Sequence, residues 1–162
     1  ENGNVFIGMG RSKLPILTNE NGQIFYDENY QFQYGQSETL REGDDVSILA
    51  SGAMVFPALE IAKILEEKNV SAHVENVACP TILQPEFVQR IASQKLVITY
   101  EDHHVFTGLA ATLAAAMQNE PHACRIYNFG VSHYGVSGAG TDAIKEMGLD
   151  PETVAAKIYS LM

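Results

Sequence analysis

The sequence predicts an α/β fold: three layers, α/β/α, around a central sheet that is mostly parallel, with mixed pairing left open. Two observations carry this. Short apolar runs with β-branched residues alternate along the chain with segments whose apolar residues recur at helical spacing, the pattern of βαβ units. Each run also closes on a turn signal, as at Ser51-Gly52 and Cys79-Pro80. The chain has 162 residues, enough for one domain of the usual roughly 100–150 residues with its own core.

From Asp45 onward the elements are distinct. Val46-Ser47-Ile48-Leu49-Ala50 reads as a strand. Met54 to Asn69 reads as a helix with Met54, Ala58, Ile61, Ala62 and Leu65 inward and Glu66-Glu67-Lys68 in solvent. Ala72 to Val77 is a second strand, and Pro85 to Ser93 a helix with proline at its first turn. Lys95 to Tyr100 is a third strand. Gly108 to Asn119 is a helix so uniformly apolar that burial is expected on all sides. Arg125 to Phe129 is a fourth strand, and Gly140 to Met147 and Pro151 to Leu161 close the chain as two helices divided at Gly148. Upstream the signal is weaker. Val5-Phe6-Ile7 reads as a strand with no partner nearby, leaving through the glycine corner Gly8-Met9-Gly10-Arg11. Residues 18–44 are polar but carry five aromatics, so they read as a linker packed on a domain, with a short strand or hairpin near Ile24-Phe25-Tyr26 and Tyr30 to Tyr34.

Composition excludes several functions. Ten basic residues stand against twenty acidic ones, a net charge of −10. Such a surface repels nucleic acid and anionic lipid, so neither is expected as a partner. Cys79 and Cys124 are the two cysteines, too few for a disulfide framework, which points to a reducing, cytoplasmic setting. No apolar run reaches the roughly 18 residues of a membrane span.

Four features invite chemistry. Glu101-Asp102-His103-His104 stands at the carboxyl end of the third strand, the edge where open α/β sheets bind ligands. Two carboxylates and two imidazoles could hold a metal or move protons. Neighbours in an extended chain point to opposite faces, however, so at most two converge. The plainer reading is that the acids cap the next helix and the histidines sit at a contact. Gly135, Gly138 and Gly140 precede a helix but run GxxGxG rather than GxGxxG, and no Walker lysine follows. A connection in which glycines supply unusual backbone angles accounts for them. Ser51-Gly52 and Ser137-Gly138 lie outside any GxSxG elbow. Arg11, in the glycine corner, could grip a phosphate or carboxylate.

Together these segments resemble the transketolase family. Leu40 to Gly52 is similar to the LREGxDVTILATG entry of its C-terminal domain, and Val97 to His103 to its VTVEDH strand end. Phe129-Gly130 to Gly138 resembles its FGxSG loop, and Gly148-Leu149-Asp150-Pro151-Glu152 its terminal GLxxE. Phe6-Ile7 to Pro15 resembles IRxGRxxxP, the closing strand of the preceding pyrimidine-binding domain. The sequence departs from the pattern at Thr107-Gly108-Leu109-Ala110, where the family has Gly-Gly-Leu-Gly, and at Gly8, where it often has arginine.

The resemblance implies a division into residues 1–17, the end of a pyrimidine-binding domain; 18–44, a linker; and 45–162, a transketolase C-terminal domain. It implies an enzyme that transfers a two-carbon ketol unit between sugar phosphates, using thiamine diphosphate and magnesium held by its N-terminal and pyrimidine-binding domains, on the same chain or another subunit. This part would then be inactive alone, bind no cofactor or metal, hold no catalytic residue, and support a homodimer. Arg11 takes the place of an arginine that contacts the substrate phosphate. Glu101, Asp102, His103 and His104 are read as an interdomain or dimer contact. The alternatives within the resemblance are a deoxyxylulose-phosphate synthase and the beta subunit of a 2-oxo-acid dehydrogenase. A non-enzymatic nucleotide-binding module built on the Gly135 loop is the alternative outside it.

Overall fold

A computed structural model describes residues 3–8, 13–19, 21–121 and 124–162. Arg11 lies outside the described residues. The strands are β1 (Glu38–Arg41), β2 (Val46–Ala50), β3 (Ala72–Asn76), β4 (Leu96–His104) and β5 (Arg125–Val131). The helices are α1 (Val55–Glu66), α2 (Pro85–Ala92), α3 (Leu109–Ala116), α4 (Gly140–Glu146) and α5 (Pro151–Leu161). One sheet in the order β1-β3-β2-β4-β5 forms the middle layer. β3, β2, β4 and β5 run parallel, and β1 pairs antiparallel with β3 at the edge. The sheet is therefore mixed.

The two faces have separate cores. α1 and α5 cover one face, where Ala58, Ile61, Leu65, Val154 and Ile158 pack on Ile48, Val74 and Ile98. α2 and α3 cover the other, where Phe87, Ile91, Leu109 and Leu113 pack on Leu49 and Val97. Every residue of β2 is buried, which is why its sequence is a continuous apolar run rather than an alternating one. Local signals set the helix limits. α2 and α5 open on proline at the first helical position, and Asp150 Oδ1 accepts a hydrogen bond from the Thr153 N–H at 3.0 Å. The turns that close α1 and α4 pass through Asn69 and Gly148, both in the left-handed region at φ 59° and 66°. The amide after each turns back onto the helix, Val70 to Leu65 O and Leu149 to Ile144 O.

Four expectations need correction. Residues 3–8 hold no strand, and Val5, Phe6 and Ile7 stand exposed; an apolar run becomes a strand only where a sheet edge receives it. The expected hairpin shrinks to a single bridge between Thr18 and Ile24. The strand that does form upstream is β1, where only Leu40 is buried, so its sequence carries no clear alternation. The third predicted strand also runs on past Tyr100 through His104. Finally, α3 buries Leu109, Ala110 and Leu113 but exposes Ala114, Ala115 and Ala116. Uniformly apolar composition overstates burial when five of the eight residues are alanine, whose methyl group costs little in water.

The segment between residues 18 and 37 is tied to the sheet by its aromatics. The Tyr26 and Tyr30 hydroxyls both donate to the Glu38 carboxylate at the start of β1, and the Asn76 amide donates to Tyr26 Oη at 2.7 Å. Burial and the bond to Glu38 push the Tyr30 phenol up to about 12, so it stays a donor at neutral pH.

Candidate functional site at the carboxyl edge of the sheet

After β2 the chain crosses to β3 on one side, and after β4 it crosses to β5 on the other. The strand order reverses between β2 and β4, and this switch point is where a doubly wound sheet opens a crevice. An open cleft of about 320 Å³ lies there, lined by Ser51 and Gly52 after β2, Thr81 after β3, and Asp102, His103 and Thr107 around the end of β4.

The four residues at the end of β4 take different places. Glu101 is 5% exposed and turns inward. Its Oε2 accepts the Leu109 N–H at 2.7 Å and its Oε1 the Ala110 N–H at 3.1 Å. It thus caps the first turn of α3, where two backbone donors and the helix dipole favour a negative charge. Gly108 makes this possible: a Cβ built there would fall inside the Glu101 carboxylate. Asp102, His103 and His104 are exposed. His103 Nε2 lies 3.4 Å from Thr107 Oγ1, and His104 Nδ1 accepts from the Phe106 N–H at 3.3 Å. Phe106, 80% exposed, stacks obliquely on His104 with ring centroids 5.4 Å apart. The end of β4 pairs with Val131 of β5, so these side chains ride on a ledge formed by β4 and β5. Among the described residues, no three His, Cys, Asp or Glu side chains are grouped to hold a metal ion.

The glycine loop after β5 is exposed from Ser132 to Ala139. Its glycines do not take left-handed angles; among the described residues the positive-φ glycines are Gly22, Gly35, Gly52 and Gly148. Gly130 is needed for another reason, since a Cβ there would lie 2.7 Å from the His103 carbonyl oxygen.

Sequence reasoning missed a second constellation, on the α2 face of the sheet beside edge strand β1. Glu75, 1% exposed, receives the Arg90 guanidinium from α2 at 2.6 Å, the His73 Nε2 at 3.1 Å and the Ser37 hydroxyl. Burial alone would raise this carboxyl, but the hydrogen bonds from His73, Arg90 and Ser37 outweigh it and bring it down to about 2. The cluster borders an open cavity of about 400 Å³ between β1, β3 and α2. The signal was present: His73 and Glu75 alternate with the apolar Ala72 and Val74 and so share one face of the strand.

Residues 35–154 match the family model of the transketolase C-terminal domain. The chain belongs to this family. This transketolase C-terminal domain is 29% identical over 161 residues to a protein of Methanocaldococcus jannaschii described as a putative transketolase C-terminal section, covering 99% of this chain and 48% of that one. It superposes on a split-gene transketolase in an inactive β4 tetramer with a TM-score of 0.80 and 28% identity, over 93% of this chain and 47% of that chain. It is also 34% identical over 126 residues to a 1-deoxy-D-xylulose-5-phosphate synthase of a Synechococcus species, covering 76% of this chain and 19% of that enzyme. The chain thus spans about half the length of the two transketolase relatives. The carboxyl edge of this transketolase domain does not fit thiamine diphosphate with its metal. The first α3 amides that could meet a diphosphate, those of Leu109 and Ala110, are taken by the buried Glu101 carboxylate, and no group of three metal-ligating side chains stands among the described residues.

Proposed function

We propose that this chain is the assembly domain of a transketolase that transfers a two-carbon ketol unit between sugar phosphates. The observation that carries this reading is the match over residues 35–154 together with the superposition on the split-gene transketolase. Thiamine diphosphate and magnesium belong to the diphosphate-binding and pyrimidine-binding domains, on the same chain or a partner subunit, and this domain holds two such units together as a homodimer. The setting is cytoplasmic, in keeping with free thiols at Cys79 and Cys124. No helix among the described residues is long and apolar enough to cross a membrane.

Residues 1–17 close the sheet of the preceding domain, which gives the exposed Val5-Phe6-Ile7 run a partner. Asp102, His103 and His104 form the contact with the partner domain, while Glu101 holds the α3 start beneath them. Changing Asp102, His103 and His104 together to alanine should weaken the assembly in sedimentation velocity without lowering the melting temperature of the separate chain. Unchanged assembly would remove these residues from the contact.

Arg11 grips the substrate phosphate through two guanidinium nitrogens. Such a charge-assisted contact is worth about 1.5–3 kcal/mol, roughly ten- to a hundredfold in affinity. In the intact enzyme Arg11→Ala should raise KM for phosphorylated sugars by about that factor and leave kcat nearly unchanged, because a remote contact acts equally in ground and transition states. Hydroxypyruvate, with no phosphate, should be unaffected; an equal loss with both donors would overturn the role. The identity to the synthase favours a second reading, as the C-terminal part of a 1-deoxy-D-xylulose-5-phosphate synthase. Ketol transfer between two sugar phosphates by the intact enzyme separates them.

A further inference from the structure

We propose that two copies of this chain join edge to edge through β5, strand against strand about a two-fold axis at Asn128. The inference rests on the reading of this domain as one that supports a homodimer, and it names the strand that does so. The two edges of the sheet differ. β1 has four residues, a break in register between Thr39 and Arg41, and a charged group at each end, Glu38 and Arg41. Short, kinked, charged strands are poor templates for another chain. β5 has seven residues, Arg125–Val131, and pairs with β4 without a break from Arg125 to Phe129. It holds no proline and no carboxylate, in a chain with twenty acidic residues.

Backbone hydrogen bonds assign the outer side of β5. The Arg125 N–H donates to Lys95 O at 3.0 Å, and Val131 O accepts the Val105 N–H at 3.0 Å, so both residues bond toward β4 and the turn that follows it. Alternation then turns the N–H and C=O of Ile126, Asn128 and Gly130 away from the sheet. None of these groups has a backbone partner outside the sheet among the described residues. The Asn128 side chain is exposed and donates to Val105 O at 3.2 Å.

This outward set is its own complement. With the strands antiparallel about Asn128, Ile126 of one copy meets Gly130 of the other and Asn128 meets Asn128, so every outward N–H faces a C=O. Tyr127 and Phe129 pack on the core beneath α1 and α5 with ring centroids 5.0 Å apart. In this register Tyr127 stands across from Phe129 of the second copy, and aromatic cross-strand pairs favour it. Arg125 lies opposite Val131 of the second copy, which keeps the two arginines at opposite ends of the seam. Two chains of net charge −10 thus meet along a line with no facing like charges. The seam also runs into the ledge at the end of β4, where His104 pairs with Val131.

Sedimentation equilibrium and amide hydrogen exchange on the full chain test this. The wild type should dimerise, and the Ile126, Asn128 and Gly130 amides should gain protection as concentration rises. Asn128→Lys and Asn128→Asp each place like charges across the axis at an exposed position, so each alone should dimerise at least about tenfold more weakly. An equimolar mixture should return to within about threefold of the wild-type constant, because lysine then faces aspartate. Variants that dimerise as tightly as the wild type, a mixture no tighter than its parts, or a wild-type dimer without protection at those three amides would overturn the β5 seam and leave the homodimer reading standing. A monomeric wild type would overturn the seam, and a monomer even when joined to its cofactor domains would overturn the homodimer reading with it.

Discussion

Gly108→Ala is expected to destabilise the domain by about 3–5 kcal/mol, a fall in melting temperature of roughly 10 °C. A methyl group at this position occupies the space of the Glu101 carboxylate. Glu101 is buried and cannot swing into solvent without leaving the Leu109 and Ala110 amides unpaired. The cost is therefore that of two charge-assisted hydrogen bonds together with a displaced buried charge. A double-mutant cycle separates this from a simple effect of glycine. In a Glu101→Ala background the carboxylate is gone, so adding Gly108→Ala should cost less than about 1 kcal/mol. Additive losses in thermal unfolding would mean that the two residues do not share one constraint.

The Glu75 cluster gives the second large effect. Glu75→Ala should cost about 3–5 kcal/mol, because it leaves His73 and Arg90 facing a hole where their common acceptor stood. Arg90 is partly exposed and recovers some hydration, which puts the loss toward the lower end. The pH dependence has a definite sign. The folded-state value near 2 lies below the ordinary glutamate value of 4.5. The ionised form is thus bound more tightly in the native state, and its contribution, about 3 kcal/mol, is complete above the ordinary value. It is lost as pH falls from about 4.5 toward 2. Urea midpoints across that window should fall steeply for the wild type and less steeply for Glu75→Gln. Parallel curves would show that another carboxylate governs acid unfolding.

The parts of the fold that could be read directly are those where one physical demand dominates. Val46–Ala50 and Leu96–Tyr100 are covered on both faces, so their sequences need apolar residues at every position but Ser47 and Thr99. Gly148 could be read as a helix stop because few other residues take its backbone angle cheaply. β1 could not be read, since Glu38-Thr39-Leu40-Arg41 buries one apolar residue and owes its place to pairing with a strand more than thirty positions away. Val5-Phe6-Ile7 failed for the converse reason, as a run with suitable composition that pairs with no strand among the described residues.

At the site, the capping role of Glu101 was within reach because its partners lie eight and nine residues on, across one short turn. The Glu75 cluster assembles residues from before β1, from β3 and from α2. Alternation placed His73 with Glu75, but only the packing of α2 brings Arg90 to them. The glycines after β5 show a further limit. Their spacing suggested special backbone angles, whereas the geometry requires Gly130 for the close approach of the His103 carbonyl.

The central claim is that this domain serves a transketolase whose cofactor sits on other domains. Ketol transfer between two sugar phosphates, assayed with thiamine diphosphate and magnesium, tests it most directly. The account predicts no turnover by this chain alone, turnover when it is joined to the diphosphate-binding and pyrimidine-binding domains, and loss of that turnover when residues 35–162 are removed. Full turnover by an assembly lacking those residues, or ketol transfer by this chain by itself, would contradict it.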